Sequence, residues 1–191
     1  VKRSVTKSHA LAPFTTSTMQ QDASAKLNMS SPVCMQVAQH LYEGVETADG
    51  HVALVTYIRT DSVRVSAEAQ SAARAYIAEK FGKEFVPAKP NFYKSKKNAQ
   101  DAHEAIRPID INLTPEKAKT FLDKNHYNLY KLIYERFLAS QMSEAEYGVT
   151  SVEIQSGEYT LKASGRVVNF KGFTAVYDDY RVKTGDEDGE V

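Results

Sequence analysis

Residues 51–62 read HVALVTYIRTDS, an apolar segment that runs directly into polar and charged side chains. Residues 51–57 are rich in β-branched and aromatic side chains, so they predict a strand that begins after a turn at Asp49-Gly50. Residues 59–62 are predicted to follow directly after the C-terminal end of this strand. We therefore expect the functional groups of the chain to gather at this strand end.

Tyr57 and Arg59 are two positions apart at the predicted strand end. On a strand such residues point to the same face, so the guanidinium of Arg59 is expected beside the Tyr57 ring. A guanidinium can stabilise charge on a phenol oxygen and can hold a phosphodiester through two hydrogen bonds. The pair therefore favours attack on a phosphodiester. Because the chain has 11 tyrosines, the alternative interpretation is a half-buried strand residue with its hydroxyl at the surface.

Residues 94–108 (KSKKNAQDAHEAIRP) form a second cluster of polar side chains. Lys94 and Ser95 begin a group of lysine, serine, asparagine and glutamine side chains, which favours contacts with phosphate groups. A solvated basic loop explains the same composition equally well. The composition alone leaves these two interpretations open.

The basic segment over residues 93–107 is predicted to end as a short helix before Pro108. Such a helix places His103 and Arg107, which are four residues apart, on one face, where both can donate hydrogen bonds to a phosphate. Glu104 is interpreted as a surface charge rather than as an orienting carboxylate. The sequence contains neither a glycine-rich phosphate loop nor a spacing of His, Cys, Asp and Glu that is typical of a metal site, so we expect no metal ligands here.

Apolar residues at three- and four-residue spacing predict helices in much of the chain before residue 143. Ser31 is the expected N-cap of the second helix and Ser66 that of the third. The predicted helices cover residues 16–27, 31–43, 66–81, a stretch from residue 114, and 127–142.

After residue 143 the apolar pattern changes from helical spacing to alternation. It predicts strands over residues 149–155, 158–165 and 169–177, with a hairpin turn at Ser156-Gly157. Three strands alone make a thin core, so the polar, extended residues 1–15 are expected to complete the sheet. The predicted fold class is α+β, with a mostly helical domain inserted in a β-rich segment.

The composition limits the class of protein. The chain has 191 residues with 24 basic and 24 acidic side chains, and 42% of its residues are hydrophobic, as in ordinary globular proteins. A net charge of zero argues at first against a broad basic surface for nucleic acid. However, residues 178–191 carry a net charge of −4 and residues 1–177 carry a net charge of +4. The net charge of zero is therefore the sum of a basic main part and an acidic C-terminal segment.

Cys34 is the only cysteine, so the chain cannot form an internal disulfide. This favours a reducing cytosol and predicts a buried, small apolar side chain. No apolar run approaches the ~18–20 residues that span a bilayer. Because the sequence begins with Val1 and not with methionine, we expect it to belong to a longer protein.

The chain resembles part of a type IA DNA topoisomerase, and the bacterial DNA topoisomerase I subfamily resembles it most. Three motifs carry this resemblance: residues 13–21 (PFTTSTMQQ), residues 56–62 (TYIRTDS) and residues 102–108 (AHEAIRP). Residues 41–44 (LYEG) add support between the first two motifs. The pattern around the tyrosine is highly specific, and the motifs occur in the order that the family shows.

The resemblance implies that Tyr57 attacks single-stranded DNA and forms a transient 5′-phosphotyrosine bond, so that negatively supercoiled DNA is relaxed without ATP. Arg59 matches the arginine that contacts the scissile phosphate, and His103 matches a histidine with a supporting role. Asp61 is expected to order this network beside the DNA. Further candidates for DNA contact are Lys94, Ser95 and Arg107.

The resemblance also implies that Mg²⁺ is bound by a Toprim domain, which this sequence lacks, so we expect the chain alone to be inactive. Residues 1–15 and 144–182 correspond to parts of a β-rich arch, residues 16–143 to the helical domain with the tyrosine, and residues 183–191 to an acidic linker. The expected partners are DNA and the remaining domains of the same polypeptide, with no membrane. The expected location is the cytoplasm, at the nucleoid.

Two other functions compete with this interpretation. In the first, the chain is a non-catalytic module that binds single-stranded DNA and Tyr57 stacks on bases. In the second, it is a phosphodiesterase that uses His103 and Glu104 as acid and base and leaves permanent nicks. Only the topoisomerase reaction reseals the strand through a covalent protein intermediate.

Overall fold

The computed structural model describes residues 1–47, 50–94 and 103–177, and these residues form an α+β fold as expected. Short 3₁₀ turns lie at Lys83–Phe85 and Gly172–Ala175. The helices are α1 (Thr16–Leu27), α2 (Ser31–Glu43), α3 (Ala67–Lys80), α4 (Pro115–Ala118) and α5 (Lys124–Ser140). The strands are β1 (Lys2–Ser8), β2 (Val45–Thr47), β3 (Gly50–Val52), β4 (Ala145–Ser156) and β5 (Tyr159–Phe170).

The main sheet joins the two ends of the described chain. Its order is β1-β4-β5, with both pairs antiparallel, and Val5 on β1 pairs with Gly148 on β4. This confirms that the N-terminal segment completes the sheet. The helices α1 to α5 all lie between β1 and β4 in the sequence, while the proposed domain boundaries at residues 15, 143 and 182 stay predictions.

The predicted strand over residues 169–177 is wrong. β5 continues to Phe170, and the chain then turns at Gly172, whose φ of 48° is left-handed. A Cβ on Gly172 would lie 2.2 Å from the carbonyl oxygen of Glu144, so only glycine fits this close approach. The turn inserts Phe173 into the core at 1% exposure, which a continuing strand could not do.

The helix limits agree with the prediction for α1, α2 and α3 and differ for α5, and the N-cap of α2 also differs. Ser66 caps α3 as expected by accepting a hydrogen bond from the Ala69 N–H. The N-cap of α2 is Ser30, one residue before the predicted Ser31. Helix α5 begins three residues earlier than predicted because Asp123 accepts hydrogen bonds from the first backbone N–H groups.

Helix α5 lies at the centre of the hydrophobic core. Leu129, Ile133 and Phe137 recur at four-residue spacing and are at most 2% exposed, as the periodicity predicts. Helices α1, α2 and α4 pack against α5. Full burial of each such side chain contributes about 1.5–3 kcal/mol, so α5 anchors the helical part. Cys34 is also buried, and burial raises its thiol pKa to about 11.

The predicted strand over residues 51–57 forms only at its beginning. β3 ends at Val52 and pairs with β2, whereas Val55 makes an isolated bridge with Pro108. Leu54, Val55 and Ile58 are all buried, so the burial pattern in this segment is not the alternation of a strand. Asp49 of the predicted turn lies outside the described residues.

A buried charged cluster joins α1, α5 and the end of the described chain. Arg136 Nη1 lies 3.1 Å from Asp22 Oδ2, and both residues are at most 3% exposed. The hydroxyl of Tyr177 donates a hydrogen bond to the same carboxylate, and Arg136 Nε donates to the Ala12 carbonyl at 2.6 Å. Burial raises the pKa of the Tyr177 hydroxyl, so the phenol stays protonated as a donor.

We expect Arg136→Met to lower the free energy of unfolding by about 3–5 kcal/mol, because the Asp22 carboxylate stays buried without the guanidinium. Urea denaturation of the two chains measures the difference. Lys162→Met is the matched control, because Lys162 pairs with Glu153 on the surface at 3.0 Å, and such pairs contribute about 0–1 kcal/mol. An equal loss in both variants would contradict the assignment of a stabilising role to the buried pair.

Candidate functional site

Three segments that are far apart in the sequence meet around Tyr57. Phe14 and Ile106 form an isolated antiparallel bridge, in which the Ile106 N–H donates to the Phe14 carbonyl at 2.8 Å. Both side chains are fully buried. The segment with Tyr57 lies against the segments of both bridge residues. Its Thr60 carbonyl accepts a hydrogen bond from the Thr16 N–H, and its Thr56 N–H donates to the Arg107 carbonyl.

The hydroxyl of Thr16 holds the backbone that follows Tyr57. It donates to the Ile58 carbonyl at 2.6 Å and accepts from the Thr60 N–H at 2.9 Å. The Thr16 N–H donates to the Thr60 carbonyl at 2.9 Å. Thr16 is the first residue of α1, so the start of a helix fixes the chain just after the tyrosine.

The hydroxyl of Thr56 holds the backbone that precedes Tyr57. It donates to the Ala105 carbonyl at 2.8 Å and accepts from the Arg107 N–H at 3.0 Å. The Thr56 N–H donates to the Arg107 carbonyl at 3.0 Å. The backbone on both sides of Tyr57 is therefore tied to other segments by hydroxyl groups, through Thr16 after the tyrosine and through Thr56 before it.

Tyr57 itself is directed outward. Its side chain is 40% exposed, whereas the next residue, Ile58, is completely buried. The Tyr57 ring contacts the His103 ring at a centroid distance of 5.5 Å and the Tyr42 ring at 5.5 Å. The structure therefore brings Tyr57 and His103 together and adds Tyr42, which the sequence did not single out as a site residue.

Burial removes several other tyrosines from the list of candidate nucleophiles. The hydroxyls of Tyr130 and Tyr134 donate to backbone carbonyls at 2.6 and 2.7 Å. Burial raises the pKa of Tyr93 to about 12 and also raises the pKa values of Tyr130, Tyr134 and Tyr177. These phenols resist ionisation, in contrast to the exposed position of Tyr57.

Arg59 and Asp61 are exposed on the segment that follows Tyr57. The prediction that strand geometry places Arg59 beside the Tyr57 ring is wrong in its premise, because residues 56–62 do not form a strand. Ser62, in contrast, is 2% exposed, and its hydroxyl accepts from the Arg64 N–H at 3.2 Å. The segment thus alternates between side chains that face solvent and side chains that fix the backbone.

The expected helix before Pro108 is wrong for the residues that the structure describes. Residues 103–107 are extended, because the Ala105 and Ile106 N–H groups donate to Arg64 and Phe14 rather than within a helix. His103 and Arg107 therefore do not share a helix face. Residues 95–102 of this prediction, including the phosphate candidate Ser95, lie outside the described residues, and Lys94 is exposed at their edge.

Glu104 is not a surface charge. Its Oε2 accepts hydrogen bonds from Arg107 Nη2 at 2.6 Å and Nε at 2.9 Å, and both side chains are at most 20% exposed. Arg107 Nη1 also donates to the Pro108 carbonyl at 3.0 Å. Because this ion pair already engages both side chains, the geometry disfavours Glu104 as a general base and leaves Arg107 only part of its donors for a phosphate.

Neither a metal cluster nor a membrane helix occurs in the described ranges. Residues 1–47, 50–94 and 103–177 contain no group of three or more His, Cys, Asp and Glu side chains that could hold a metal ion. In the same ranges, no helix combines the length and the apolar character needed to cross a bilayer.

Comparison with known proteins matches the whole arrangement to one family. A sequence model described as DNA topoisomerase matches residues 1–190. DNA topoisomerase 1 of Fervidobacterium islandicum is 52% identical over 171 residues, which cover 87% of this chain and 24% of that protein. DNA topoisomerase 1 of Thermotoga maritima is 46% identical over 194 residues, which cover 99% of this chain and 30% of that protein.

A solved structure agrees with these sequence matches. The structure of full-length topoisomerase I from Thermotoga maritima superposes with a TM-score of 0.83 at 43% identity, covering 100% of this chain and 30% of that chain. The chain thus spans about a quarter to a third of the length of the relatives that it matches.

We expect Thr16→Val to destabilise the chain by about 1–3 kcal/mol, because the Thr60 N–H loses its acceptor while the side-chain volume is kept. Amide hydrogen exchange should become faster at Thr60. Thr120→Val is the matched control, since the exposed Thr120 hydroxyl donates only to the Lys117 carbonyl of the preceding turn at 2.8 Å, and we expect a change within about 0.5 kcal/mol. Unchanged exchange at Thr60 in Thr16→Val would show that this hydroxyl does not hold the segment.

Proposed function

Because the chain belongs to the type IA DNA topoisomerase family, we propose that Tyr57 is the nucleophile with which a full-length enzyme breaks and rejoins one DNA strand. The observation that carries this proposal is the contrast at residues 57 and 58. A 40% exposed phenol stands beside a completely buried isoleucine, on a backbone that Thr16 and Thr56 hold from both sides. This arrangement presents a reactive oxygen from a fixed support.

The proposed reaction exchanges one phosphodiester for another. The Tyr57 oxygen forms a bond to the phosphorus, the bond between phosphorus and the 3′ oxygen breaks, and the proton lost by the phenol balances the proton gained by the freed 3′ hydroxyl. The 5′ end then stays attached to Tyr57 until the 3′ hydroxyl attacks in the reverse step. Since a diester persists throughout, no ATP is required, and strand passage through the break relaxes negatively supercoiled DNA.

The neighbouring cations have distinct proposed roles. Arg59 binds the scissile phosphate and stabilises the charge that develops on it, because its exposed guanidinium can make two parallel hydrogen bonds. His103 supports the reaction from its place beside the Tyr57 ring. Asp61, which is exposed, orders this network beside the DNA, and the exposed Lys94 contacts the DNA. Ser95 and Arg107 remain candidates for the same contacts.

The magnesium that the family resemblance implies does not fit the described residues, because they contain no cluster of carboxylates that could hold it. We therefore propose that the ion is bound by another part of the full-length enzyme, in the Toprim domain, and we assign no step in this chain to it. For the same reason we propose that the 191-residue chain alone is inactive. The proposed setting is the bacterial nucleoid in the cytoplasm.

We also propose that one face of the β1-β4-β5 sheet packs against the rest of the same longer polypeptide. Ile154 and Leu161 pair across β4 and β5, and Val167 and Val5 continue the same face toward β1. Each of these four side chains is at least 54% exposed in this chain. An apolar stripe of this kind normally lies against other protein, and the relatives contain two thirds or more of chain beyond the matched part.

The competing functions make different demands on the site. A phosphodiesterase that uses Glu104 as a base conflicts with the two hydrogen bonds that Glu104 accepts from Arg107. A non-catalytic module that stacks Tyr57 on bases uses the same exposed ring, so covalent chemistry decides between the two. Only the topoisomerase leaves a protein–DNA adduct that resists denaturant.

We expect Tyr57→Phe in the full-length enzyme to abolish the covalent adduct while binding of single-stranded DNA stays within about twofold, since only the attacking oxygen is lost. The adduct is measured by trapping on a denaturing gel with a labelled oligonucleotide. Tyr159→Phe is the matched control, because Tyr159 is 78% exposed on β5 and should leave the adduct unchanged. An adduct that persists in Tyr57→Phe would move the nucleophile to another residue.

We expect Leu161→Lys to change the stability of the 191-residue chain little and to destabilise the full-length enzyme by about 2 kcal/mol or more, because the charge would be buried only there. Thermal unfolding of both proteins measures the difference. Thr160→Lys, on the opposite face of β5, is the control and should be neutral in both. Equal effects of Leu161→Lys on the stability of the two proteins would contradict the proposal that this face packs against the rest of the polypeptide.

A further inference from the structure

We propose that Tyr42 is a positioning residue for Tyr57, and this inference rests on the proposed function of Tyr57 as the nucleophile. The two rings meet at a centroid distance of 5.5 Å and an interplanar angle of 69°. This is the edge-to-face geometry that aromatic pairs prefer, because the positive edge of one ring meets the negative face of the other. Tyr42 belongs to α2, so the contact joins a helix to the segment that carries the nucleophile.

Tyr42 stands on a rigid part of the fold. Its neighbour Leu41 is completely buried, and the Leu41 carbonyl accepts a hydrogen bond from the Leu54 N–H at 2.8 Å. This bond ties the last turn of α2 to the chain three residues before Tyr57. The positions of the two rings relative to each other are therefore fixed by backbone as well as by side-chain contact.

The Tyr57 ring has a second aromatic neighbour in His103, at 5.5 Å and an interplanar angle of 33°. Two ring contacts at different angles restrict rotation about both side-chain torsions of Tyr57 more than either contact alone. The restriction matters because attack requires the phenol oxygen to lie in line with the scissile bond, and small displacements slow such reactions strongly. We infer that Tyr42 acts on the rate of attack through the orientation of Tyr57.

A second tyrosine pair, which lies in the hydrophobic core, shows how the contact between Tyr42 and Tyr57 differs from ordinary core packing. Tyr76 and Tyr134 also pack edge to face, at 6.5 Å and 85°, but Tyr134 is 3% exposed and its hydroxyl is bound to the Ile111 carbonyl. That pair belongs to the hydrophobic core. Tyr42 is only half-buried and Tyr57 is exposed, so their contact removes little apolar surface from water and mainly fixes the direction of the ring.

The test uses the full-length enzyme with Tyr42→Leu and Tyr42→Phe. We expect Tyr42→Leu to lower the single-turnover rate constant of adduct formation about two- to tenfold, which matches the usual contribution of such a ring pair. The dissociation constant for a single-stranded oligonucleotide should stay unchanged. Tyr42→Phe keeps the ring and should restore the rate.

Tyr42→Met keeps most of the side-chain volume without a ring, and it serves if Tyr42→Leu does not fold. We expect it to slow adduct formation like Tyr42→Leu. Tyr76→Leu is the matched control, because it should lower the unfolding temperature without a selective loss in the rate of adduct formation. Together these measurements distinguish an effect of Tyr42 on the orientation of the Tyr57 ring from an effect on the stability of the protein.

Three outcomes would overturn the inference. They are a wild-type rate in Tyr42→Leu and Tyr42→Met, an equal loss in Tyr42→Phe, or a rate that falls only in parallel with DNA affinity. Each leaves the role of Tyr57 intact as long as the wild-type adduct is carried by Tyr57. An adduct on a different residue of the wild-type enzyme would instead overturn the proposed function, so the two failures are distinguishable.

Discussion

Two threonine hydroxyls hold the backbone on either side of Tyr57, and the geometry of the site depends on them. Thr16 and Thr56 each donate to one backbone carbonyl and accept from one backbone N–H. Thr16 thereby binds the segment after Tyr57, and Thr56 binds the segment from Ala105 to Arg107, neither of which belongs to a regular sheet. A strand would satisfy such groups through a ladder of backbone hydrogen bonds. Here the two hydroxyl groups take that role and hold the backbone on which the exposed Tyr57 stands next to the buried Ile58.

Local signals predicted the helices well. Helices α1, α3 and α5 depend on four-residue apolar spacing and on N-caps such as Ser66, and both signals lie within a few residues of the structure that they specify. The errors have a common cause in contacts between distant segments. The strand over 51–57, the helix before Pro108 and the strand over 169–177 all fail where partners distant in sequence determine the backbone, respectively Arg107, Phe14 and Glu144.

The candidate site was predictable to a similar extent. The motif around Tyr57 identified an exposed phenol, and the likeness of residues 102–108 to a known motif brought His103 to the same place. Tyr42 lay within a segment that supported the family resemblance, yet nothing local indicates that its ring contacts Tyr57. The pairing of Glu104 with Arg107 was not predicted, because hydrogen bonds to Arg64 and Phe14, which are distant in sequence, determine the backbone between the two residues.

The buried cluster of Arg136, Asp22 and Tyr177 has a mechanical consequence. The chain leaves the sheet after β1 and reaches Ala12, which Arg136 binds, and it ends its described course at Tyr177, which shares the Asp22 carboxylate with Arg136. The segment that follows β1 and the segment that follows β5 are therefore fastened to one guanidinium. A load on either segment is therefore transmitted to the same residue of α5.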